Sequence, residues 1–521
     1  MKLNKVYLSW CIIFIIVSVL AGAVVQGQPA GEVKQSDLIA VLQSDAPQAE
    51  KAITCKRLAI YGGEEAVAAL APLLEDKELA SWARIALEAI PGPAADAALR
   101  NALGRLEGRL LVGVINSIGV RRDGQAVEAL AQKLSDTNPE VASAAAVALG
   151  HIGGEPAAQV LTQFLAGAPA DVRSAAAEGC ILCAEGFLAG DKAEEAVRLY
   201  DLVRQAEVPD LRRMEAIRGA ILARRSAGIP LLLEQLRSEE EDCFDMGLRA
   251  ARELGGQEVT EALAEELARL SVDRSALVLL ALSDRTDAAV LPIVLREAKD
   301  GAKELRIAAL QILNRLGDVS CVPILLGAAA ENDAELEQAA METLLSLSGK
   351  EVDADLTARL PLAQGKLKQL LIQLAGQRQI DGALAAVVPS LQDGDAGIRR
   401  AALQTVGILG QDPQAGDLVQ MLLKTQNSGD RAAVEKALLA ICGRCGLKCI
   451  PHLEPLARSS DPGLRIIGLH AFAIIGGPDA LAAVQSAMAS TEPSLQDEAV
   501  RILSTWPNSW PQDDEAGEAL L

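Results

Sequence analysis

Apolar residues recur along the chain at helical spacing, and short segments rich in Gly, Pro and polar residues interrupt them. One such stretch runs from Ala126 to Leu134, with its apolar side chains on one helical face. The segment 135–139 then breaks the pattern, and its final proline suits the first turn of a helix. A second apolar stretch runs from Val141 to about Gly150, and Gly153-Gly154 then supplies a conformation that ends a helix at little cost. The pattern predicts two helices joined by a short turn.

This two-helix pattern repeats along the chain with a period of 31 residues. We take one apolar position near the start of each second helix as an anchor. Ten anchors fall in three phased blocks: Leu79, Leu110, Val141 and Val172; Leu305, Leu336, Leu367 and Ile398; Leu464 and Leu495. Five further anchors are less regular: Glu50, Leu211, Met246, Ser275 and Val434. The sequence therefore predicts about fifteen helical hairpins.

Three features accompany the repeat. Acidic residues occupy the turn, either five residues before an anchor (Asp136, Asp300, Asp393) or three before it (Asp76, Asp333, Asp395, Asp461). An arginine directly follows several anchors: Arg173, Arg212, Arg306, Arg399 and Arg465. A Leu-Gly or Ile-Gly pair closes several second helices: Leu149-Gly150, Leu316-Gly317, Leu409-Gly410 and Ile475-Gly476. With these features the repeat resembles the HEAT-repeat family, and within it the short bacterial HEAT-like repeats of the phycobilin-lyase type.

The resemblance implies an all-α fold, a right-handed α-solenoid of about fifteen HEAT-like helical hairpins spanning residues 45–505. It also implies that the turn acids and the arginines form a ladder between neighbouring repeats. Composition agrees with closely stacked helices, because 50% of the residues are apolar but only 2% are aromatic. One hairpin cannot bury its apolar faces alone, whereas stacked hairpins share a continuous core.

The N-terminus has the features of an export signal. Lys2 and Lys5 precede a nearly continuous apolar run from Val6 to Val25, and small residues follow this run. We expect residues 1–27 to be a signal peptide and the protein to be exported to the periplasm or cell envelope. The alternative is an uncleaved anchor formed by residues 6–25, since that length can span a bilayer. Residues 28–44 are then a short linker or cap, and residues 506–521 an acidic C-terminal tail.

The net charge of −21 and a pI near 4.8 make the surface repel phosphate backbones. We therefore expect a protein partner and no nucleic acid. A membrane would be contacted only through an uncleaved N-terminal segment.

The strongest candidate for a chemical site is a cluster of three cysteines and one histidine: Cys442, Cys445, Cys449 and His452. Their spacing is compatible with a zinc site. The repeat offers another explanation, because Cys442 falls at a core position and Cys449 matches Cys321, which has no cysteine neighbours. We predict that this cluster holds no metal, and that Cys445 is a free thiol or forms a disulfide with Cys449.

The remaining candidates also favour structural roles. The C-x-x-C pair Cys180–Cys183 lies on a second helix, not in the strand-then-helix setting of a redox motif. The basic stretch around Arg212-Arg213 and Arg224-Arg225 is interpreted as a solvated helix face. No catalytic, cofactor-binding or metal-binding residue is assigned.

The function predicted from the sequence is that of an exported HEAT-repeat scaffold, which binds a protein through the concave face of the solenoid. It is not predicted to be an enzyme and needs no cofactor. The alternative is a lyase-like or other enzyme helper that uses a groove of the array, as the phycobilin-lyase resemblance suggests.

Overall fold

The computed structural model describes residues 34–425 and 428–511. Helix makes up 81% of it, and no strand occurs among these residues. The chain divides into two compact units with the boundary between Ala250 and Ala251. In the same described ranges, no helix is both long and apolar enough to cross a bilayer. The prediction of an all-α fold is confirmed.

The helices of the first unit form seven successive pairs, the last of which carries the unit boundary. In chain order they are α1 (Gln35–Gln43), α2 (Gln48–Tyr61), α3 (Val67–Leu70), α4 (Ala80–Ala89), α5 (Pro93–Ala102), α6 (Gly108–Arg121), α7 (Val127–Lys133), α8 (Pro139–Ile152), α9 (Gly154–Leu165), α10 (Arg173–Ala189), α11 (Ala193–Gln205), α12 (Asp210–Ala223), α13 (Ile229–Arg237) and α14 (Glu241–Glu253).

The second unit contains eight further pairs. They are α15 (Gln257–Glu266), α16 (Val272–Ser283), α17 (Val290–Asp300), α18 (Lys303–Leu316), α19 (Val322–Ala330), α20 (Ala334–Ser346), α21 (Lys350–Arg359), α22 (Gly365–Gln377), α23 (Leu384–Val387), α24 (Ala396–Leu409), α25 (Asp412–Lys424), α26 (Ser428–Cys445), α27 (Ile450–Ala457), α28 (Pro462–Ile475), α29 (Pro478–Met488) and α30 (Pro493–Ser509).

Short 3₁₀ segments begin or end several first helices: Glu64–Ala66, Ala71–Glu75, Gly124–Ala126, Arg225–Gly228, Val319–Cys321, Leu360–Leu362, Asp381–Ala383, Val388–Gln392 and Gly446–Cys449. Odd-numbered helices are thus the first helix of each pair and even-numbered helices the second. The described part of the chain holds fifteen pairs, as the anchors predict.

Within each unit, second helices pack against the second helix of the next pair, as α6 does on α8 and α8 on α10 in the first unit. In the second unit α22 packs on α24, and α24 packs on α26. The anchors Val141, Ile398 and Leu464 are buried beneath these contacts, at no more than 4% exposure. The anchor Met246 differs from most others, because it falls in the middle of α14 instead of near its start.

The turn acids that precede the second helices act mainly as helix caps. The carboxylates of Asp333 and Asp395 accept hydrogen bonds from backbone N–H groups in the first turns of α20 and α24, and Asp461 does so for α28. These bonds satisfy N–H groups that the helix itself leaves unpaired. At the other end of two second helices, Gly153 and Gly476 adopt positive φ angles of 67° and 68°. These residues let the chain leave α8 and α28.

The predicted ladder of ion pairs between repeats exists, and both arginine and lysine side chains pair with the aspartates. Arg431 pairs with Asp461 at 3.0 Å, and Lys303 pairs with Asp333 at 2.8 Å. Arg399 bridges to Asp430 of the next repeat at 3.5 Å. It also donates to the backbone oxygens of its own turn, at Asp393 and Gly394. The carboxylate of Asp393 pairs with Lys368 at 2.7 Å instead.

Because the Arg399–Asp430 pair is half-exposed, Arg399→Ala should lower the free energy of unfolding by at most about 1 kcal/mol. Urea unfolding followed by circular dichroism measures this change. The neighbouring variant Arg400→Ala is the control and should leave stability unchanged. A loss of partner binding with unchanged stability in Arg399→Ala would contradict its structural role.

Both ends of the predicted array extend further than the repeat pattern indicates. Helix α1 lies within residues 28–44, the segment predicted as a linker or cap, and it packs on α2. Helix α30 continues beyond Thr505 to Ser509, into the predicted acidic tail. Trp506 is buried there, and the indole N–H of Trp510 donates to the backbone oxygen of Ala473 at 2.9 Å. The predicted signal peptide or anchor, residues 1–27, and the tail from residue 512 lie outside the described residues.

Candidate functional site

A groove of about 820 Å³ crosses three consecutive second helices of the second unit, α22, α24 and α26. We call it the second-helix groove. Its lining comes from Gln373, Gln377, Gln379, Asp381, Arg400, Leu403, Gln404, Thr405, Gly407, Ile408, Leu409, Gln411, Ala433, Lys436, Ala437, Ala440 and Arg444. Polar side chains from three repeats therefore converge on one surface.

The groove exists because small residues let these helices pack closely. A Cβ atom at Gly407 of α24 would lie 3.3 Å from the Cα atom of Ala437 on α26. At the other helix interface, the Thr405 hydroxyl donates to the backbone oxygen of Ile372 at 2.8 Å. These contacts leave the longer side chains Gln404 and Lys436 exposed on the same face.

Three rows of residues make up the exposed face. Each row lies at a fixed number of residues after the anchors Leu367, Ile398 and Val434. Two residues after the anchor stand the cations Arg400 and Lys436, and six residues after it stand the amides Gln373 and Gln404. The positions ten residues after the anchors hold Gln377, Ile408 and Arg444. Amides can donate and accept hydrogen bonds, so this surface suits a partner with exposed backbone groups.

The guanidinium of Arg444 has a second role. It donates to the backbone oxygens of Gly407 at 3.0 Å and Gly410 at 2.5 Å, at the C-terminal end of α24. Carbonyls at a helix C-terminus have no partner within the helix, and a cation there also complements the helix dipole. Arg444 thereby joins α26 to α24 at one end of the groove.

The same arrangement recurs between other repeats, and we call these residues the arginine caps. Each arginine follows its anchor by ten or eleven residues and binds backbone oxygens near the end of the preceding second helix. The arginine caps are Arg121, Arg285, Arg315, Arg378 and Arg444. Sequence reasoning did not identify them, although their spacing from the anchors was a usable signal.

The cysteine and histidine cluster is divided between core and surface. Cys442 and Cys449 are fully buried, and Cys445 is half-buried with its Sγ atom 3.9 Å from the Oε1 atom of Gln411. His452 lies against Gly416, where an added Cβ would come within 3.0 Å of the ring Nδ1 atom. The core placement predicted for Cys442 is confirmed, and so is that of Cys321.

Burial also makes these thiols poor nucleophiles. It raises the pKa of Cys442 and raises the pKa of Cys449 to about 11. The thiols of Cys180 and Cys183 are buried in α10, and burial raises the pKa of each to about 12. All eight cysteines that the structure describes carry free thiols.

In residues 34–425 and 428–511, no group of three or more His, Cys, Asp and Glu side chains is arranged to hold a metal ion. The metal-free state of the cluster stays a prediction, which elemental analysis of purified protein tests. The basic stretch that covers α12 and the residues directly after it forms ion pairs, since Arg212 contacts Glu178 and Arg224 contacts Asp201.

Comparison with protein families identifies the type of repeat. The family model described as HEAT repeats matches residues 97–180 and 354–439, one segment in each unit. HEAT repeats therefore occur in both units of the chain. The narrower resemblance to the phycobilin-lyase type stays a prediction, because the matching model describes HEAT repeats in general. No curated protein sequence matches the chain.

Solved structures with similar helical arrangements include karyopherins. The crystal structure of Kap121p is 12% identical with a TM-score of 0.38, covering 91% of this chain and 64% of that chain. Kap121p bound to Pho4p is 11% identical with a TM-score of 0.42, covering 92% and 66%. Kap95p with RanGDP is 11% identical with a TM-score of 0.39, covering 93% and 79%. The chain spans about 64% of the length of the Kap121p chain.

The residues that line the second-helix groove were not predicted from the sequence. The sequence predicted a concave face of second helices without naming Arg400, Gln404 or Lys436. Counting two, six and ten residues from each anchor would have named them, since these positions lie together on one side of a helix.

Proposed function

We propose that this HEAT-repeat chain is an exported scaffold that binds a protein partner along the second-helix groove. The observation that carries the proposal is the convergence of exposed amide and basic side chains from three repeats on one open groove. Repeat arrays characteristically bind partners on surfaces built in this way. The polar lining contains one carboxylate, Asp381, and no histidine, which favours binding over acid–base chemistry. The non-enzymatic role is part of this proposal.

The partner is proposed to be a protein and not a nucleic acid, because the chain carries a net charge of −21. Export to the periplasm or cell envelope is also a proposal, based on Lys2, Lys5 and the apolar run from Val6 to Val25. N-terminal sequencing of the native protein should begin near Val24 or Gln28. Recovery of protein from the cytosol with Met1 retained would contradict export.

Filling the groove should prevent partner binding. Gln404→Trp places a bulky neutral side chain in the middle of the groove, so we expect affinity capture from an envelope extract to lose its main partner. Gln420 is also exposed but lies on α25, outside the groove lining, and Gln420→Trp is the matched control. Equal capture by both variants, with unchanged circular dichroism spectra, would show that the groove is not the binding site.

A further inference from the structure

The cations of the second-helix groove differ from most basic side chains nearby. Arg399, Arg431 and Lys368 in the same repeats each pair with an aspartate. Arg400 and Lys436 point into the groove instead, and neither has an ion-pair partner among the residues that the structure describes. A strongly acidic chain therefore leaves two exposed cations uncompensated on adjacent helices.

The net charge of the groove lining is opposite in sign to that of the whole chain. Its charged residues are Arg400, Lys436 and Arg444 against Asp381 alone, whereas the whole chain carries −21. Cations lining a concave surface concentrate the positive potential there and attract anionic groups. The groove is thus basic on an otherwise acidic protein.

The other rows of the groove favour a peptide. Gln373 and Gln404 present amides that can bond to the N–H and C=O groups of an extended backbone. Ile408 of the lining is 43% exposed, so the same surface can accept an apolar side chain. The small side chains of Ala433, Ala437 and Ala440 leave room along α26.

We propose that the second-helix groove binds an extended acidic peptide segment of the partner, whose carboxylates pair with Arg400 and Lys436. This inference rests on the proposed scaffold function and specifies the chemistry of its ligand. Three second helices stacked about 9 Å apart span roughly 20 Å from the first axis to the last. About six extended residues cover this span, and a peptide of about eight extends slightly beyond it at each end.

Fluorescence anisotropy of the full-length chain with three labelled peptides of about eight residues tests the proposal. The peptides alternate leucine with glutamate, glutamine or lysine. We expect the glutamate peptide to bind at least about tenfold more tightly than the glutamine peptide, and its binding to weaken as salt is raised. The lysine peptide should not bind.

Charge reversal in the groove provides the decisive comparison. Arg400→Glu and Lys436→Glu should each weaken binding of the glutamate peptide by about tenfold or more. Lys299 is exposed on the first helix α17 of the same unit, and Lys299→Glu should change affinity less than about twofold. Circular dichroism verifies that each variant is folded.

Different results would contradict the acidic ligand and the scaffold function. Equal binding of the glutamate and glutamine peptides, or no effect of Arg400→Glu and Lys436→Glu, would overturn the acidic ligand. The scaffold function would still stand if Gln404→Trp abolished partner capture. Displacement of the glutamate peptide by a short oligothymidylate at lower concentration would also overturn the acidic-peptide proposal, since it would identify nucleic acid as the preferred anion.

Discussion

Replacing Arg285 with methionine should lower the stability of the second unit by about 3–5 kcal/mol, the range for removing one partner of a buried charged network. Arg285 is only 7% exposed, and its side chain is the most buried among the arginine caps. Its Nη1 atom donates to the backbone oxygens of Ala251 at 2.7 Å and Leu254 at 2.5 Å. Its Nη2 atom donates to that of Gly256 at 2.9 Å.

The Nε atom of Arg285 completes the network. It donates to the hydroxyl of Thr260 at 2.7 Å and lies 3.1 Å from a carboxylate oxygen of Asp287. Methionine fills similar space but donates no hydrogen bond, so the carbonyls at the end of α14 would lose their partners. A lysine could replace the charge but not the several fixed donors of the guanidinium.

The matched control for Arg285 is Arg315, the arginine cap of the next second helix. Its side chain is 57% exposed while it binds the backbone oxygen of Ser283 at 2.8 Å. Because water can replace those bonds, Arg315→Met should reduce stability by at most about 1 kcal/mol. Hydrogen exchange measured by mass spectrometry over α14 and α16, together with urea midpoints, compares the two. A loss no larger for Arg285→Met than for Arg315→Met would contradict the capping role.

The fold could be predicted from the sequence because the pattern of one helical hairpin recurs many times along the chain. The period of 31 residues, the turn acids and the glycines after the helices all describe local structure. Local structure depends on neighbouring residues, so Asp395 and Gly153 could be identified directly from the chain. The resemblance predicted a ladder for the acids, and Asp333 and Asp461 combine such ion pairs with the capping of their own helices.

The groove and the arginine caps were harder to predict because they depend on how repeats stack. Arg285 and Arg444 bind backbone oxygens, which every residue carries, so no complementary residue type in the sequence marks their partners. Whether Arg400 and Lys436 face a groove or a neighbouring carboxylate depends on the rotation of α24 against α26. The adjacent residues Arg399 and Arg400 illustrate this, because only Arg399 reaches an aspartate.

Stacking also decides the effect of adding a methyl group to the glycines of α10. At Gly179 a new Cβ would collide with the backbone oxygen of Ala146 on α8 and lie 3.0 Å from a methyl carbon of Leu161. Gly150 of α8 faces it, with its own Cβ position only 2.7 Å from the Cα atom of Gly179. The two helices are therefore in backbone contact, and neither can move without disturbing the packed repeats on either side.

Gly179→Ala should consequently destabilise the first unit by about 1–3 kcal/mol, since the cost of overpacking exceeds the higher helix propensity of alanine. Gly186 on the same helix is the matched control, because its added Cβ would meet no atom within 4 Å. Gly186→Ala should stabilise the unit by up to about 1 kcal/mol. Urea midpoints and hydrogen exchange over α8 and α10 measure both variants. If the two substitutions stabilised the protein equally, the close contact between α8 and α10 would not exist in solution.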